Sequence, residues 1–548
     1  MTHEQAMLRK LDRLIDAELR AQDPETGRYL VTDYHTDTRG MGFMLAHQLT
    51  ALIHPMSRHS SSAALAEGIR KGLKWLRENR NESGCFDLSS CNFDSAPDTA
   101  FTVNALYDAW VLLKDSGSPW REEFLGPVTE IIERACEGIC AGGFHTPNHR
   151  WAIAACLKQG SLATGRREFS ERADVYLGEG LDIDAEGEFA ERSAGTYNAV
   201  NDDQMIRLYL TTGDETYLRA ARSNLEMMLK YLEPDGTVFT LNSTRQDRGV
   251  KVYPGSYYGL YLMAGYLGRD PELAGWSQII WEACEAGGEI PMCLEWLMRF
   301  PEMESYGRQA VPRMETLTRY GKVWPGSGIG RWRRGDMTVS ALAGTPGFLA
   351  VRHRDMSAVV SLYGNVCDKR YFLAEGIEET AEGFRLVSRF PSWYYLPFEG
   401  EQPGTTDWWA MNNAETRKRQ IREELTVTIE GRVTEDGVEL VLRAEGMRRV
   451  PLRMEITFTP GMLRTEQILM AANAGQGLTL TGGNAEMSGP EGGCIRLEGA
   501  FAEHNNQRRM TGAMAQDPNR FTVYLTCYTP AEKRVALRAG SKFGPALE

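Results

Sequence analysis

The sequence lacks a long apolar run, a paired-cysteine motif and an excess of positive charge. No stretch of about 18 consecutive apolar residues occurs, which argues against a membrane-spanning helix. The ten cysteines are scattered and include no C-x-x-C pair, so we expect buried reduced thiols. The net charge of −13 disfavours nonspecific binding to nucleic acid or to an anionic membrane.

Sequence signatures of three common enzyme classes are also missing. The chain contains no G-x-x-x-x-G-K-[ST], no G-x-S-x-G and no H-E-x-x-H, so P-loop NTPases, α/β-hydrolases and zincins lack support. We predict no cofactor, although a structural metal with dispersed ligands stays open. Residues 1–22 carry no apolar core of the kind that a signal peptide needs, so we expect a cytoplasmic protein.

The length and composition indicate a globular protein of several domains. A chain of 548 residues is too long for a single hydrophobic core, so two or three domains are expected. Hydrophobic residues make up 42% and charged residues 25% of the chain, which excludes a disordered protein.

Helical stretches alternate with Gly- and Asp-rich turns up to about residue 315. Residues 72–87 and 225–239 each combine an amphipathic helix, a turn with glycine, and then an aromatic side chain, and residues 172–189 repeat this weakly. Helix pairs at intervals of roughly 45–55 residues predict stacked αα-hairpins. Long loops after the inner helices favour a closed toroid over an open solenoid. Residues 257–268 are nearly apolar all round, so they should form a buried inner helix.

The pattern changes to short strands after about residue 315. Period-two alternation, β-branched residues and glycine turns occur in residues 323–344, 358–364, 383–390 and 425–446. Asp436-Gly437 is a strong hairpin signal. We therefore predict an α+β protein of two domains, an (α/α) toroid over 1–315 and an antiparallel β-sandwich over 316–548.

The first candidate site lies where a loop enters a helix. Pro147 can end the loop, so Asn148, His149 and Arg150 are expected near the N-terminus of that helix. Backbone N–H groups and the helix dipole favour an anion there. An amide, an imidazole and a guanidinium together could hold a carboxylate. Alternatively, Asn148 only caps the helix and His149 is a surface residue.

The second candidate is Tyr197, in the loop that precedes a helix expected to begin near Asp202. Tyr197 follows a short stretch of small residues, Ser-Ala-Gly-Thr, and its loop should lie at the same end of the helical array as residues 145–150. A single tyrosine in such a position is more often a packing residue.

Together, these two segments resemble the uronic-acid polysaccharide lyases of the heparinase II/III-like and oligoalginate lyase group, which have a helical toroid and a β-sheet domain. The resemblance rests on the Asn148-His149 pair, on Tyr197 about one hairpin repeat later, and on the order of helices before strands. It implies that Asn148 and His149 bind and neutralise the uronate carboxylate, and that Tyr197 transfers the proton.

Elimination from a uronate explains why these residue types are needed. The reaction removes the proton at C5, next to a carboxylate, and expels the group on C4, so donors and positive charge must stabilise the developing negative charge. A phenol near cations can act as the base and then as the acid. If the proton and the leaving group lie on opposite faces, His149 is the base and Tyr197 the acid. The sequence does not choose between these two schemes.

Further residues are predicted to bind an acidic oligosaccharide. Arg245, Tyr253 and Tyr257 follow an inter-helix turn and form either a basic, aromatic subsite or a solvated loop. Related lyases place a histidine of the β-domain over the cleft, and His353 resembles that element. Trp409 lies near a loop, where it could stack on a sugar ring or pack in the core.

Acidic residues support a rival hypothesis. Asp98 lies at the start of an inner helix, where it binds substrate or only interacts with the helix dipole. Toroid hydrolases of glucuronides use a pair of carboxylates, so a uronidase is the alternative to a lyase. A noncatalytic helical scaffold for a protein partner is a third hypothesis. We expect exo-action on short acidic oligosaccharides, and the oligomeric state stays open, a homo-oligomer included.

Overall fold

The protein is described by a computed structural model that covers residues 1–31, 34–35, 37–310, 312, 315–399, 404–411, 417–504 and 515–540. The chain divides into two compact units, Met1–Pro312 and Arg313–Glu548. The helix-rich region thus forms the first unit and the strand-rich region the second. No helix in these ranges is both long and apolar enough to cross a membrane.

Helices build the first unit. Its helices are α1 (His3–Ala21), α2 (Thr38–Ile53), α3 (Ala63–Glu78), α4 (Ala96–Asp115), α5 (Arg121–Ala141), α6 (Pro147–Thr164), α7 (Arg167–Leu177), α8 (Tyr197–Thr212), α9 (Glu215–Met228), α10 (Tyr258–Leu267), α11 (Pro271–Ala286), α12 (Leu294–Arg299) and α13 (Met303–Tyr306). Two small hairpins join β1 (Leu30–Val31) to β2 (Tyr34–His35) and β3 (Phe86–Leu88) to β4 (Asn92–Ser95). Two 3-10 turns span Leu229–Tyr231 and Gly255–Tyr257.

Inner and outer helices alternate along the chain. The inner helices α2, α4, α6, α8 and α10 pack on one another in this order, and each also packs on the outer helix that follows it. Helices α4, α6 and α10 bury side chains on nearly every face, whereas α3 and α9 are amphipathic. The predicted αα-hairpins are confirmed, as is the buried inner helix over residues 257–268.

Local sequence signals begin and end these helices. The side chains of Ser95 and Asp270 accept backbone N–H groups at the starts of α4 and α11. Gly165 and Gly213 follow α6 and α8 in the left-handed conformation, with φ of 76° and 72°, which glycine adopts at no steric cost. Since each hairpin reverses the chain direction, the inner helices run parallel and their N-terminal ends lie at one end of the unit.

Strands build the second unit, together with α14 (Glu315–Thr318) and α15 (Trp408–Met411). The strands are β5 (Arg319–Trp324), β6 (Ile329–Arg334), β7 (Met337–Leu342), β8 (Gly347–His353), β9 (Met356–Val366), β10 (Lys369–Tyr371), β11 (Ile377–Thr380), β12 (Gly383–Tyr395), β13 (Arg419–Val433), β14 (Gly437–Glu445), β15 (Pro451–Phe458), β16 (Gly461–Arg464), β17 (Leu469–Ala472), β18 (Gly477–Thr479), β19 (Gly482–Ser488), β20 (Cys494–Phe501), β21 (Phe521–Tyr528) and β22 (Ala531–Ala539).

These strands form two sheets of nine strands each. One has the order β18-β21-β15-β9-β8-β7-β6-β5, with β10 paired to β9, and the other has the order β11-β12-β13-β14-β22-β20-β19-β16-β17. Phe348 and Val360 of the first sheet share one hydrophobic core with Ile429 and Leu440 of the second. The predicted β-sandwich is therefore confirmed, and β13 pairs with β14 across the turn that contains Asp436-Gly437.

Candidate functional site

The two predicted site segments form the N-terminal ends of neighbouring inner helices. Helix α6 begins at Pro147, after Thr146, so Asn148 is not the cap residue. Helix α8 begins at Tyr197, which corrects the predicted start near Asp202. Because α6 packs directly on α8, the loops before them lie side by side.

Asn148 is fixed by a carboxylate from the other loop. The Asn148 side chain is buried, and its Nδ2 lies 2.8 Å from both Glu191 Oε1 and Glu191 Oε2. The backbone N–H of Asn148 also donates to Glu191 Oε2, at 3.2 Å. Burial raises the pKa of Glu191 above its ordinary value, while the hydrogen bonds from Asn148 oppose the rise. The buried Oδ1 of Asn148 has no hydrogen-bond partner within the described residues.

Tyr197 lies between a cation and an amide. The guanidinium carbon of Arg245 lies 4.9 Å from the centre of the Tyr197 ring. Gln246 Nε2 donates to the Tyr197 phenol oxygen at 2.6 Å. Arg245 Nε also lies 3.6 Å from Glu191 Oε1, so one chain of contacts joins Tyr197 to Asn148.

His149 lies beside this chain of contacts as a neutral imidazole. Its ring meets the ring of His145 edge-on at 4.6 Å and that of Phe101 at 6.2 Å. Burial, together with the neighbouring His145, lowers the pKa of His149 to about 4. At neutral pH, His149 can therefore accept a proton or donate one N–H, but it adds no positive charge.

Arg150, predicted to hold the substrate carboxylate, is paired with carboxylates of the protein. Its Nη1 donates to Glu179 Oε2 at 2.9 Å, and its Nη2 lies 3.9 Å from Asp182. The guanidinium stacks on Trp151, with its carbon 4.2 Å from the ring centre. Two carboxylates thus already balance the charge of Arg150.

Asp98 is held by its own loop and by α2. Its carboxylate accepts from Ser95 Oγ at 2.6 Å and from Asn92 Nδ2 at 3.0 Å. Arg39 pairs with the other oxygen at 3.3 Å and stacks on Phe101 at 5.1 Å. Asp98 therefore places the Arg39 guanidinium next to the ring that touches His149.

Of the predicted aromatic pair, Tyr257 occupies a packing position and Tyr253 is half-buried. Tyr257 is buried and donates through its hydroxyl to the carbonyl of Ala194 at 2.6 Å, so it supports the turn before Tyr197. The Tyr253 ring packs against the backbone of Gly287, where a Cβ would lie within 2.5 Å of it.

The remaining two predicted residues lie in the second unit. His353 ends β8, and its Nδ1 accepts the backbone N–H of Cys494 at 3.0 Å. Trp409, in α15, is 82% exposed, so the alternative of core packing is wrong for this residue. The roles of both residues stay predictions.

Sequence reasoning missed three contributors to the site. Gln246 lies beside the predicted Arg245, but no pattern marks an amide as the partner of a phenol. Glu191 lies in the loop before Tyr197, but no sequence pattern marks a carboxylate as the partner of Asn148. Arg39 comes from α2, far from the motif segments, and only the fold places it near His149. Among the described residues, no group of three or more His, Cys, Asp or Glu side chains could hold a metal ion.

Sequence comparison identifies no relatives of this chain. No protein-family model matches it, and no curated protein matches it in sequence. The fold, in contrast, matches many solved structures.

Several of these structures are polysaccharide lyases, including the following three. A xanthan lyase from Paenibacillus has a TM-score of 0.59 at 10% identity, over 98% of this chain and 57% of its own. The chondroitin AC lyase of Streptomyces coelicolor A3, in complex with chondroitin sulphate, has a TM-score of 0.57 at 11% identity, over 98% and 79%. Heparinase III has a TM-score of 0.52 at 12% identity, over 93% and 79%.

The present chain thus spans little more than half of the xanthan lyase. At these identities the similarity concerns the fold. It agrees with the resemblance inferred from the Asn148-His149 pair and Tyr197. The chain has the fold of the polysaccharide lyases that combine a helical toroid with a β-sandwich.

Proposed function

We propose that the protein is a lyase that cleaves uronic-acid-containing oligosaccharides by β-elimination. The observation that carries this proposal is the convergence of an imidazole, a phenol and a guanidinium, from His149, Tyr197 and Arg245, at the N-terminal ends of two adjacent inner helices. Proton transfer next to a stabilised carboxylate needs these groups. The lyase fold of the chain supports the same reaction class.

The uronate carboxylate is bound by a different set of residues from the one expected on sequence. His149 is neutral, and two carboxylates already balance Arg150. Arg39 and Arg245 each face a single carboxylate, so we assign the positive charge to them. Glu191 opposes this charge least when it is protonated, and its raised pKa favours that form. Asn148 then contributes through Glu191, which holds its amide in place.

Tyr197 is the proton-transferring residue in this scheme. Its phenol oxygen already accepts the Gln246 amide N–H, which can stabilise negative charge on that oxygen when the proton leaves. In one step a base, either the Tyr197 phenolate or neutral His149, takes the C5 proton, and the electrons of the C5–H bond form the C4–C5 double bond. The C4–O bond breaks at the same time, and the leaving oxygen takes a proton from the Tyr197 phenol. His149 is either the base for C5 or a hydrogen-bond donor to the substrate.

The remaining predicted residues have supporting roles in this proposal. Tyr257 supports the turn that carries Tyr197, and Asp98 positions Arg39. We keep Tyr253, His353 and Trp409 as candidate substrate contacts, each to be tested by alanine substitution. The proposed partner is an acidic oligosaccharide.

The decisive experiment follows the unsaturated product by its ultraviolet absorbance. We expect Tyr197→Phe and His149→Ala each to lower kcat on a uronate oligosaccharide by at least about 100-fold, because proton transfer contributes 10²–10⁴-fold. Tyr209→Phe is the matched control, since Tyr209 lies on the same helix at its far end. Its activity should equal that of the wild type.

Other outcomes identify the alternatives. Reducing sugar without the absorbing product would indicate a uronidase. No product of either kind from any uronide would indicate a noncatalytic scaffold. Near-normal activity of both Tyr197→Phe and His149→Ala would show that these residues are not catalytic, without deciding which reaction the protein catalyses. Exo-action predicts that only the smallest unsaturated products accumulate from the first minutes of the reaction.

A further inference from the structure

A cavity of about 160 Å³ opens between the inner helices of the first unit. Helices α2, α4, α8 and α12 all contribute to its walls. The lining residues are Phe43, Ala46, His47, Phe101, Asn104, Ala105, Asp108, Asp203, Gln204, Arg207 and Glu295. Drug-sized ligands occupy sites of about 300–1,000 Å³, so this cavity has room for a much smaller group, such as one sugar ring.

The cavity adjoins the candidate site through one aromatic side chain. Phe101 lines the cavity, and its ring also meets the His149 ring edge-on at 6.2 Å. Arg39 stacks on the same phenyl ring at 5.1 Å. A group bound in the cavity is therefore a neighbour of a group bound at His149 and Arg39.

The cavity wall contains a buried hydrogen-bond acceptor. Asn104 is 3% exposed, and its Oδ1 has no partner within the described residues. The orientation of the amide is fixed, because its Nδ2 donates to Gln204 Oε1 at 2.8 Å and to the carbonyl of Ala152 at 3.3 Å. The buried atom is thus an oxygen, so a group that reaches it must be a hydrogen-bond donor.

The charged groups of the wall also favour donors. The carboxylates of Asp108, Asp203 and Glu295 line the cavity. Arg207 is committed to two of them, donating to Asp108 at 3.0 and 2.7 Å and to Asp203 at 2.8 Å. Its charge is therefore not available for an incoming anion, and a sulfate or carboxylate would meet acidic groups.

Two aromatic rings supply the apolar part of the wall. Phe43 is 38% exposed, although it lies on an inner helix, and Phe101 is half-buried opposite α8. Aromatic faces pack well on the C–H faces of a pyranose. The wall therefore combines stacking surfaces with acceptors.

We propose that this cavity is a subsite for one sugar ring rich in hydrogen-bond donors, either neutral or bearing a free amine, next to the uronate. This subsite proposal rests on the proposed function and adds to it the identity of the sugar next to the scissile bond. Like-charge contacts exclude a ring that carries sulfate or carboxylate. The enzyme thus selects uronate oligosaccharides whose neighbouring sugar is unsulfated.

Matched substrates test this selectivity. Uronate disaccharides and tetrasaccharides with an unsulfated or an O-sulfated neighbouring sugar are compared by initial rates of unsaturated product. We expect kcat/KM to be at least about tenfold lower for the sulfated series, because the sulfate would lie against the carboxylates of the wall. Equal values for the two series would overturn the subsite. Absence of product from every substrate would overturn the proposed function instead.

Two variants report on the cavity itself. Ala105→Trp fills it from α4, and Glu295→Gln removes one carboxylate. We expect Ala105→Trp to raise KM for the unsulfated substrates at least tenfold, with an unchanged melting temperature. We expect Glu295→Gln to reduce the difference in kcat/KM between the unsulfated and the sulfated substrates. Glu285→Gln, at an exposed position on outer helix α11, is the control.

A binding measurement is independent of catalysis. Glucosamine is titrated calorimetrically into the wild type and into Ala105→Trp. Binding to the wild type that is lost in the variant supports the subsite even if no substrate is cleaved. Equal binding to both proteins, or none to either, overturns it.

Discussion

Glu188 and Glu191 are buried carboxylates in the loop that leads to Tyr197. Glu191 accepts the amide of Asn148, whereas Glu188 accepts Asn198 Nδ2 at 2.9 Å and the Tyr231 hydroxyl at 3.0 Å. Burial raises the pKa of Glu188 to about 7, so near neutral pH it is partly protonated. The two residues anchor the loop through different partners, and burial disfavours the ionised form of each.

The titration of Glu188 predicts a pH-dependent stability. Between pH 4.5 and 7 the folded protein holds a proton on Glu188 that the unfolded chain has lost, so this group makes the unfolding free energy fall as pH rises through that window. Glu188→Gln removes the dependence. We expect the unfolding free energy of the variant, relative to that of the wild type, to rise by on the order of 2–3 kcal/mol between pH 4.5 and pH 8.

Denaturant titrations at several pH values measure this gain. Glu282→Gln, on the exposed side of α11, is the control and should follow the wild type at every pH. A constant difference between Glu188→Gln and the wild type would show that Glu188 does not titrate in this range.

The pair of Asn148 and Glu191 predicts a coupled substitution. Asn148→Asp places two buried carboxylates in contact, so we expect a loss of about 1–3 kcal/mol in unfolding free energy. Adding Glu191→Gln restores a carboxylate-to-amide pair with the roles exchanged. A double-mutant cycle should give a coupling of at least about 1 kcal/mol. Additive losses would mean that the two side chains do not interact.

At the scale of elements, helices α10 and α11 approach closely at a glycine. A Cβ on Gly265 would lie 2.3 Å from the backbone N and 2.6 Å from the Cα of Ala274. Gly265→Ala must therefore separate the two helices, and we expect it to lower the unfolding free energy by about 1–3 kcal/mol.

A second helical glycine provides the control for this prediction. A Cβ on Gly126, in α5, meets nothing within 4 Å, so Gly126→Ala should be neutral or stabilise by roughly 0.5–1 kcal/mol. Thermal unfolding of both variants compares them directly. If Gly265→Ala is as stable as Gly126→Ala, the close helix contact is not tight in solution.

Patterns of local period predicted the elements, but not the contacts between loops. Local patterns predicted α10 and the turn at Asp436-Gly437. A buried helix needs apolar residues on every face, and a tight hairpin needs particular turn residues, so both appear in neighbouring residues of the sequence. The start of α8 was placed too late because its loop is held from outside. Asp247 accepts Ser193 Oγ and the N–H of Gly195, both at 2.9 Å.

The same limit applies to the site residues. The types and positions of Asn148, His149 and Tyr197 could be proposed from sequence. The pairing of Arg150 with Glu179 could not, because no spacing rule links an arginine at a helix start to a carboxylate beyond the next helix. The positive charge of Arg150, which the sequence analysis assigned to substrate binding, is therefore balanced by a carboxylate of the protein.

At the scale of the whole molecule, the two units have separate interiors. The core of the second unit draws on both of its sheets, from Val323 to Leu537. Because a domain with its own core can fold alone, we expect residues 313–548 expressed separately to show a β-type circular dichroism spectrum and one cooperative thermal transition. A spectrum of an unfolded chain would contradict this.

The site is also a set of interlocked loops from different hairpins. Asn148 is held by Glu191, Ser193 by Asp247, and Tyr197 by Gln246. Replacing one of these loops by a loop of another protein would remove one partner of a hydrogen bond and leave the other partner unsatisfied. The three loops therefore act as one structural unit and would have to be transferred together. New substrate specificities in this scaffold should arise from substitutions that change two or more of these loops at the same time.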